Sequence, residues 1–190
     1  MATKLESKPK PEVRNEQGEK LDVLVEGKAD AKATIIFVHG LGTNKNEGNN
    51  LFGEIASKLG DRYRIVRFDL SGCGASEGKE EDFNLRKWSR DLDSVLKYVK
   101  AHYKGEVFII AHSFGTFVTT RLAPEGVKGA IFVAMANKDT SGSSIKARIR
   151  SRGGVVNEEG ISTYPRSTGE VQKLDLLSGK NWRTSHPSHL

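Results

Sequence analysis

The residues best placed to do chemistry are Val107-Phe108-Ile109-Ile110-Ala111-His112-Ser113-Phe114-Gly115-Thr116, where an apolar run stops abruptly at a serine with Ala111 and Gly115 two positions to either side. The pattern predicts a buried strand that turns at once into a helix, so that the Ser113 hydroxyl projects from the strand end. Small neighbours are required there because the returning backbone would meet a larger side chain. A hydroxyl presented in this way has the geometry of a nucleophile. His112, next to it in the chain, points the wrong way on such a turn to serve as its base and is read as a rim or packing residue.

Two more turns follow strands. His39-Gly40-Leu41-Gly42 ends the continuous apolar run 33–38, and Asp69-Leu70-Ser71-Gly72-Cys73-Gly74-Ala75-Ser76 ends the run 63–69. Glycine-rich turns can cradle phosphates, but Gly72-Cys73-Gly74-Ala75-Ser76-Glu77-Gly78 places its third glycine one residue late for a dinucleotide fingerprint, and Cys73 and Glu80 occupy the positions where a P-loop needs glycine and Ser or Thr. His186 and His189 have neither a carboxylate nor a cysteine nearby to complete a metal site. No metal and no cofactor is expected, and the single cysteine, Cys73, reads as a small buried thiol.

The elements that must hold these turns follow one grammar. Residues 13–25 predict a hairpin turning at Gln17-Gly18, with the alternation of marginal strands. The run 33–38 predicts a central strand covered on both faces. Leu51, Phe52, Ile55, Ala56 and Leu59 recur at helical spacing up to Gly60. After the strand 63–69, Trp88, Leu92, Val95, Leu96, Val99 and Tyr103 mark the buried stripe of a long helix, with Asp93 and Lys97 paired on its surface. A helix over 114–122 stopped by Pro124 and a strand over 129–135 complete the series. Strands alternating with helices specify a mostly parallel, doubly wound α/β sheet whose site lies beyond the carboxyl ends of the strands. Beyond Thr140 the alternation stops, leaving only a hairpin pattern over 155–163.

Length and charge bound the rest. The 190 residues suit one domain. The expected division is a flexible N-terminal arm over 1–12, a core over 13–139, and a partial lid and tail over 140–190. The net charge is +6, but residues 141–190 hold 8 Lys and Arg against 4 Asp and Glu, so the core is nearly balanced. No aromatic interleaving accompanies the basic run 146–152, so no nucleic-acid partner is expected. No segment has the apolar length a bilayer requires, and the lysine-rich start carries no secretory signal, so the expected setting is the cytoplasm, without membrane attachment.

Ala111-His112-Ser113-Phe114-Gly115 resembles the G-x-S-x-G nucleophile elbow of the α/β-hydrolases, with alanine for the first glycine. His39-Gly40-Leu41-Gly42 resembles that family's oxyanion-hole loop, and the stretch 69–76 its recurrent D-x-x-G-x-G-x-S turn. The three motifs stand in the family's order across 13–136, with bacterial and archaeal serine esterases and the serine aminopeptidase-like group the nearest in pattern. The resemblance implies that Ser113 attacks a small carboxylic ester while the backbone N–H groups of Leu41 and Phe114 receive the oxyanion. It also implies a sheet about two strands longer, so the chain reads as incomplete at its C-terminal edge, with weak activity and an exposed edge through which it would self-associate. In the family's order the acid follows the nucleophile and the histidine comes last, which makes Asp139 the candidate acid and His186 and His189 the candidate bases. Arg166, Tyr164 and Trp182 fall in the expected lid. Esterase, peptidase and acyltransferase are not separable on these motifs. A non-catalytic small-ligand-binding protein on the same fold is the alternative.

Overall fold

The computed structural model describes residues 11–135, residue 150, and residues 155–156, 161–165 and 171–175. The chain enters through a short antiparallel ladder, β1 (Val13–Arg14) against β2 (Lys20–Leu21). Gly18, at φ +80°, makes the turn between them. The Asn15 carboxamide holds that turn, its oxygen accepting the N–H groups of Gln17 and Glu19. This is the predicted hairpin, although the strand that joins the main sheet is the next one, β3 (Val23–Gly27).

The main sheet contains β3, β4 (Ala33–Val38), β5 (Arg64–Phe68), β6 (Glu106–His112) and β7 (Gly129–Val133), in the order β3-β5-β4-β6-β7. Among its described strands only β3 runs antiparallel to its neighbour. Every residue of β4 is buried, as a central strand with helices on both faces requires.

Among the described residues, three helices cover the sheet: α1 (Leu51–Leu59), α2 (Leu85–His102) and α3 (Phe114–Leu122). Period-2 alternation divides the interior between them. Ile36, Val38, Val66, Phe68, Val107, Ile109 and Ala111 face α2 and α3, where they meet Trp88, Leu92, Val95, Val99 and Val118. Ile35, Phe37, Ile65 and Ile110 face α1, against Phe52 and Ala56. Burying one such aliphatic side chain contributes about 1.5–3 kcal/mol, so this alternation is what fixes strand register.

The helix boundaries follow local chemistry. Asn84 caps α2 by accepting the Lys87 N–H at 2.8 Å, and Asp93 and Lys97 form the expected pair at 2.9 Å. Tyr103 lies one residue past the end of α2 rather than within it, with its ring 4.2 Å from the Arg64 guanidinium carbon. Gly60 ends α1 in the right-handed region. Gly27 packs closely against it, and a Cβ added at Gly27 would lie 3.1 Å from the Gly60 Cα and overlap the Tyr63 carbonyl oxygen.

After β7 the expected hairpin is present as β8 (Val155–Val156) paired antiparallel with β9 (Ile161–Pro165). A third strand, β10 (Val171–Asp175), pairs with β9 and passes beside the turn at Glu80–Asp82. The sequence reading missed β10, because five residues with mixed polar character carry little periodicity. Among the described residues, no helix is long and apolar enough to cross a membrane.

Candidate active site

Ser113 follows the last residue of β6 and precedes the first residue of α3, with φ 48° and ψ −116°. A side chain rarely tolerates these angles, and holding one there costs about 1–3 kcal/mol. The surroundings enforce it. The Ser113 N–H donates to the carbonyl of Val133 on β7 at 2.9 Å, and its carbonyl accepts from the Thr116 N–H and the Thr116 hydroxyl, at 3.1 and 2.6 Å. Gly115 is obligatory because a Cβ there would collide with the carbonyl oxygen of Val38 at the end of β4. Ser113 itself is half-buried.

The loop after β4 lies directly against this turn. A Cβ added to Gly40 would stand 3.2 Å from the Ser113 Cβ, so the loop and the Ser113 side chain meet at van der Waals distance. Leu41 is the next residue of that loop. Phe114 opens α3, where N–H groups point along the helix axis toward an approaching anion. Its ring is buried against Phe83 and Trp88, with centroids 5.3 and 5.8 Å away.

His39 is fully buried and has a structural task. Its Nε2 accepts the Leu70 N–H at 3.0 Å, so the proton resides on Nδ1, which donates to the Gly40 carbonyl at 2.8 Å. The imidazole thereby joins the ends of β4 and β5.

The turn over 69–76 is built around the Asp69 carboxylate. It accepts from the Lys45 N–H, the Lys45 ammonium and the Ala75 N–H. Gly74 must be glycine because a Cβ would overlap that carboxylate. The Ser76 hydroxyl closes the turn by donating to the Asp69 carbonyl at 2.6 Å, while accepting the Asp22 N–H at 2.8 Å. Cys73 is buried, as expected.

Two groups escaped the sequence reading. Asp91, fully buried on α2, accepts the Ser71 N–H at 2.8 Å and the Asn15 side-chain amide at 2.9 Å, tying the entry hairpin and the 69–76 turn to the helix. Glu47 sits in the loop between β4 and α1 at φ 60° and ψ 174°, again outside the regions favoured by residues with side chains. Asn49 and Asn50 also have positive φ, and asparagine is enriched in such conformations, so the run Asn44-Lys45-Asn46-Glu47-Gly48-Asn49-Asn50 carried a detectable signal of contorted backbone. One Glu47 oxygen accepts the Gly40 N–H at 2.8 Å and lies 3.3 Å from His112 Nδ1. The His112 contact is close but lacks hydrogen-bond alignment. His112 itself projects to the α1 side, edge-on to Phe52, consistent with a packing residue.

The structure therefore brings Ser113, Leu41 and Phe114 into one region. Asp139, His186 and His189 lie outside the described residues, as do Arg166 and Trp182, while Tyr164 falls within β9. A cleft of about 440 Å³ lined by Asp22, Val25, Arg64, Tyr98 and Tyr103 follows the far edge of the sheet and shares no residue with the Ser113 turn.

A family profile described as the alpha/beta hydrolase family matches residues 35–184. The chain is 32% identical over 106 residues to the mitochondrial palmitoyl-protein thioesterase ABHD10 of Homo sapiens, an overlap of 54% of this chain and 33% of that protein. It is 28% identical over 106 residues to the biotin biosynthesis bifunctional protein BioHC of Teredinibacter turnerae, covering 54% of this chain and 17% of that one. Among solved structures it is similar to the alpha/beta hydrolase GrgF from Penicillium sp. sh18, with a TM-score of 0.65 and 19% identity over 86% of this chain and 61% of that chain. It is also similar to the esterase EaEST from Exiguobacterium antarcticum, with a TM-score of 0.62 and 17% identity over 76% and 56% of the two chains. The chain thus spans a third or less of these curated relatives.

Proposed function

This chain belongs to the α/β hydrolase family, and from that premise we propose that it is a serine hydrolase of small carboxylic esters acting through an acyl-enzyme on Ser113. The observation that carries the reading is the Ser113 backbone, held at φ 48° and ψ −116° with the Gly40 loop packed against its side chain. Strain of this kind persists only where the surroundings impose it, and it presents the hydroxyl away from both the strand and the helix. The esterase and thioesterase relatives support the same class of reaction.

In this mechanism the Ser113 Oγ forms a bond to the ester carbonyl carbon and its proton passes to a base, then to the departing alkoxide as the ester C–O bond breaks. Water repeats the sequence to release the acid. The Leu41 and Phe114 N–H groups receive the oxyanion, and each such donor lowers the barrier by about 3 kcal/mol in comparable enzymes. Asp139 is the proposed acid, and His186 or His189 the proposed base.

Fluorophosphonate labelling tests the reading. Labelling of the folded chain, with burst hydrolysis of a nitrophenyl ester, both lost in Ser113→Ala, is the expected result. A folded chain that takes up no label would remove the nucleophile. The rival, a non-catalytic binder, would instead show thermal stabilisation by a small hydrophobic ligand that Ser113→Ala leaves intact.

A further inference from the structure

One carboxylate oxygen of Glu47 contacts two residues at once: it accepts the N–H of Gly40 at 2.8 Å and lies 3.3 Å from Nδ1 of His112. Gly40 immediately precedes Leu41, the proposed oxyanion donor, and His112 immediately precedes Ser113, the proposed nucleophile. The Glu47 side chain is 6% exposed, so these contacts are made away from competing water. Its other oxygen accepts from the Gly48 N–H at 3.3 Å. The backbone at Glu47 has a conformation suited to glycine, yet a carboxylate stands there.

We propose that Glu47 is a positioning residue for the acyl-transfer site, its carboxylate holding the peptide that leads into Leu41 at a fixed distance from the strand that ends in Ser113. The inference rests on the serine hydrolase reading. Catalysis depends on donors aimed at where the oxyanion will form, and a displacement of about 1 Å can cost about 100-fold in rate. Without the Glu47 carboxylate, the Gly40 N–H loses its acceptor and the 39–42 loop loses one of its contacts beside the end of β6.

Two variants separate positioning from folding. Glu47→Gly suits the local φ and ψ, which preserves the fold, but removes the carboxylate. Glu47→Gln keeps an oxygen that can accept the Gly40 N–H. The expected result is fluorophosphonate labelling of Ser113 slowed about 30-fold in Glu47→Gly and kept within about threefold of the parent in Glu47→Gln. Thermal unfolding midpoints should differ by only a few degrees. If Glu47→Gly labels as fast as the parent, the positioning role is overturned and the nucleophile assignment stands.

Should the parent itself fail to label, the hydrolase reading falls, and amide exchange at Gly40 then decides the contact separately. Exchange about 10-fold faster in Glu47→Gly than in the parent, with Glu47→Gln protected, supports the contact. Equal exchange in all three overturns it.

Discussion

Asp69 holds Lys45 with both carboxylate oxygens, Oδ1 accepting the Lys45 backbone N–H at 2.6 Å and Oδ2 accepting its ammonium at 2.8 Å. The same ammonium reaches Asp22 at 2.6 Å. Burial alone would lower the Lys45 pKa, but hydrogen bonds to Asp22 and Asp69 outweigh it and hold the group above its ordinary 10.5. A base with a raised folded pKa contributes stability that is complete below its unfolded pKa and is lost as pH climbs through the folded value. Lys45→Met should therefore cost about 2 kcal/mol at neutral pH, a figure reduced for partial exposure. In urea titrations the difference from the parent should shrink above pH 10.5. A difference that stays constant through that range would contradict the assignment.

Asp91 and Glu19 should respond to acid in opposite senses. Burial pushes the Asp91 carboxyl above its ordinary 3.8, more than offsetting its hydrogen bonds from Ser71 and Asn15 and the nearby Lys87. Its contribution is complete below pH 3.8 and fades as pH rises through the raised value. Glu19 is also pushed up by burial, but hydrogen bonds from Lys87 and Asn15 prevail and lower it below 4.5. Its contribution is present above pH 4.5 and lost on acidification through the lowered value. Asp91→Asn should destabilise by about 1–3 kcal/mol, because an amide offers one acceptor where two donors converge. The gap between the parent and Asp91→Asn should widen toward acid, while the gap for Glu19→Gln should close. Chemical denaturation across pH 3–7 measures both, with the range set by the ordinary carboxylate values.

Replacing Ser113, the proposed nucleophile, should expose the strain at the turn. Glycine accepts φ 48° freely, whereas alanine does not. Ser113→Gly should be about 1 kcal/mol more stable than Ser113→Ala, and neither should take up fluorophosphonate. Equal melting temperatures for the two variants would mean that the turn stores no strain.

The outer edge of the sheet carries the fourth expectation. Among the described residues β7 is the outermost strand of the main sheet on this side, and Ile131 on it and Met135 just past it are 62% and 47% exposed. Apolar strand edges pair with other chains, and a lysine opposes this. Ile131→Lys should reduce concentration-dependent association in light scattering. A parent that is monomeric at every concentration would show that the edge is protected.

The turns were legible because their constraints are local. A serine at a forced turn needs Gly115, and a buried Asp69 carboxylate needs Gly74, so each leaves a glycine in the sequence. Strand and helix order was legible for the same reason, through periods of 2 and 3.6 residues. The contacts of Asp91 and Glu47 left no such trace. Asp91 lies on the buried side of a helix, 76 residues from Asn15 along the chain. Glu47 sits in a polar loop whose composition indicates a turn but not which side chain folds inward. Partnerships over such separations depend on the tertiary path of the chain.

The alternation along β6 also constrains how this protein can change over evolutionary time. Odd positions from Val107 to Ala111 supply one core, while Ile110 supplies the other and His112 shares its side of the sheet. Deleting one residue before Ser113 would exchange the two sets and move the hydroxyl to the wrong face together with half the interior. The placement of Ser113 is thus protected against insertions and deletions by the same packing that keeps the chain folded. Variation in length is confined to the loops beyond the strand ends, where residues can be added or lost without exchanging the cores.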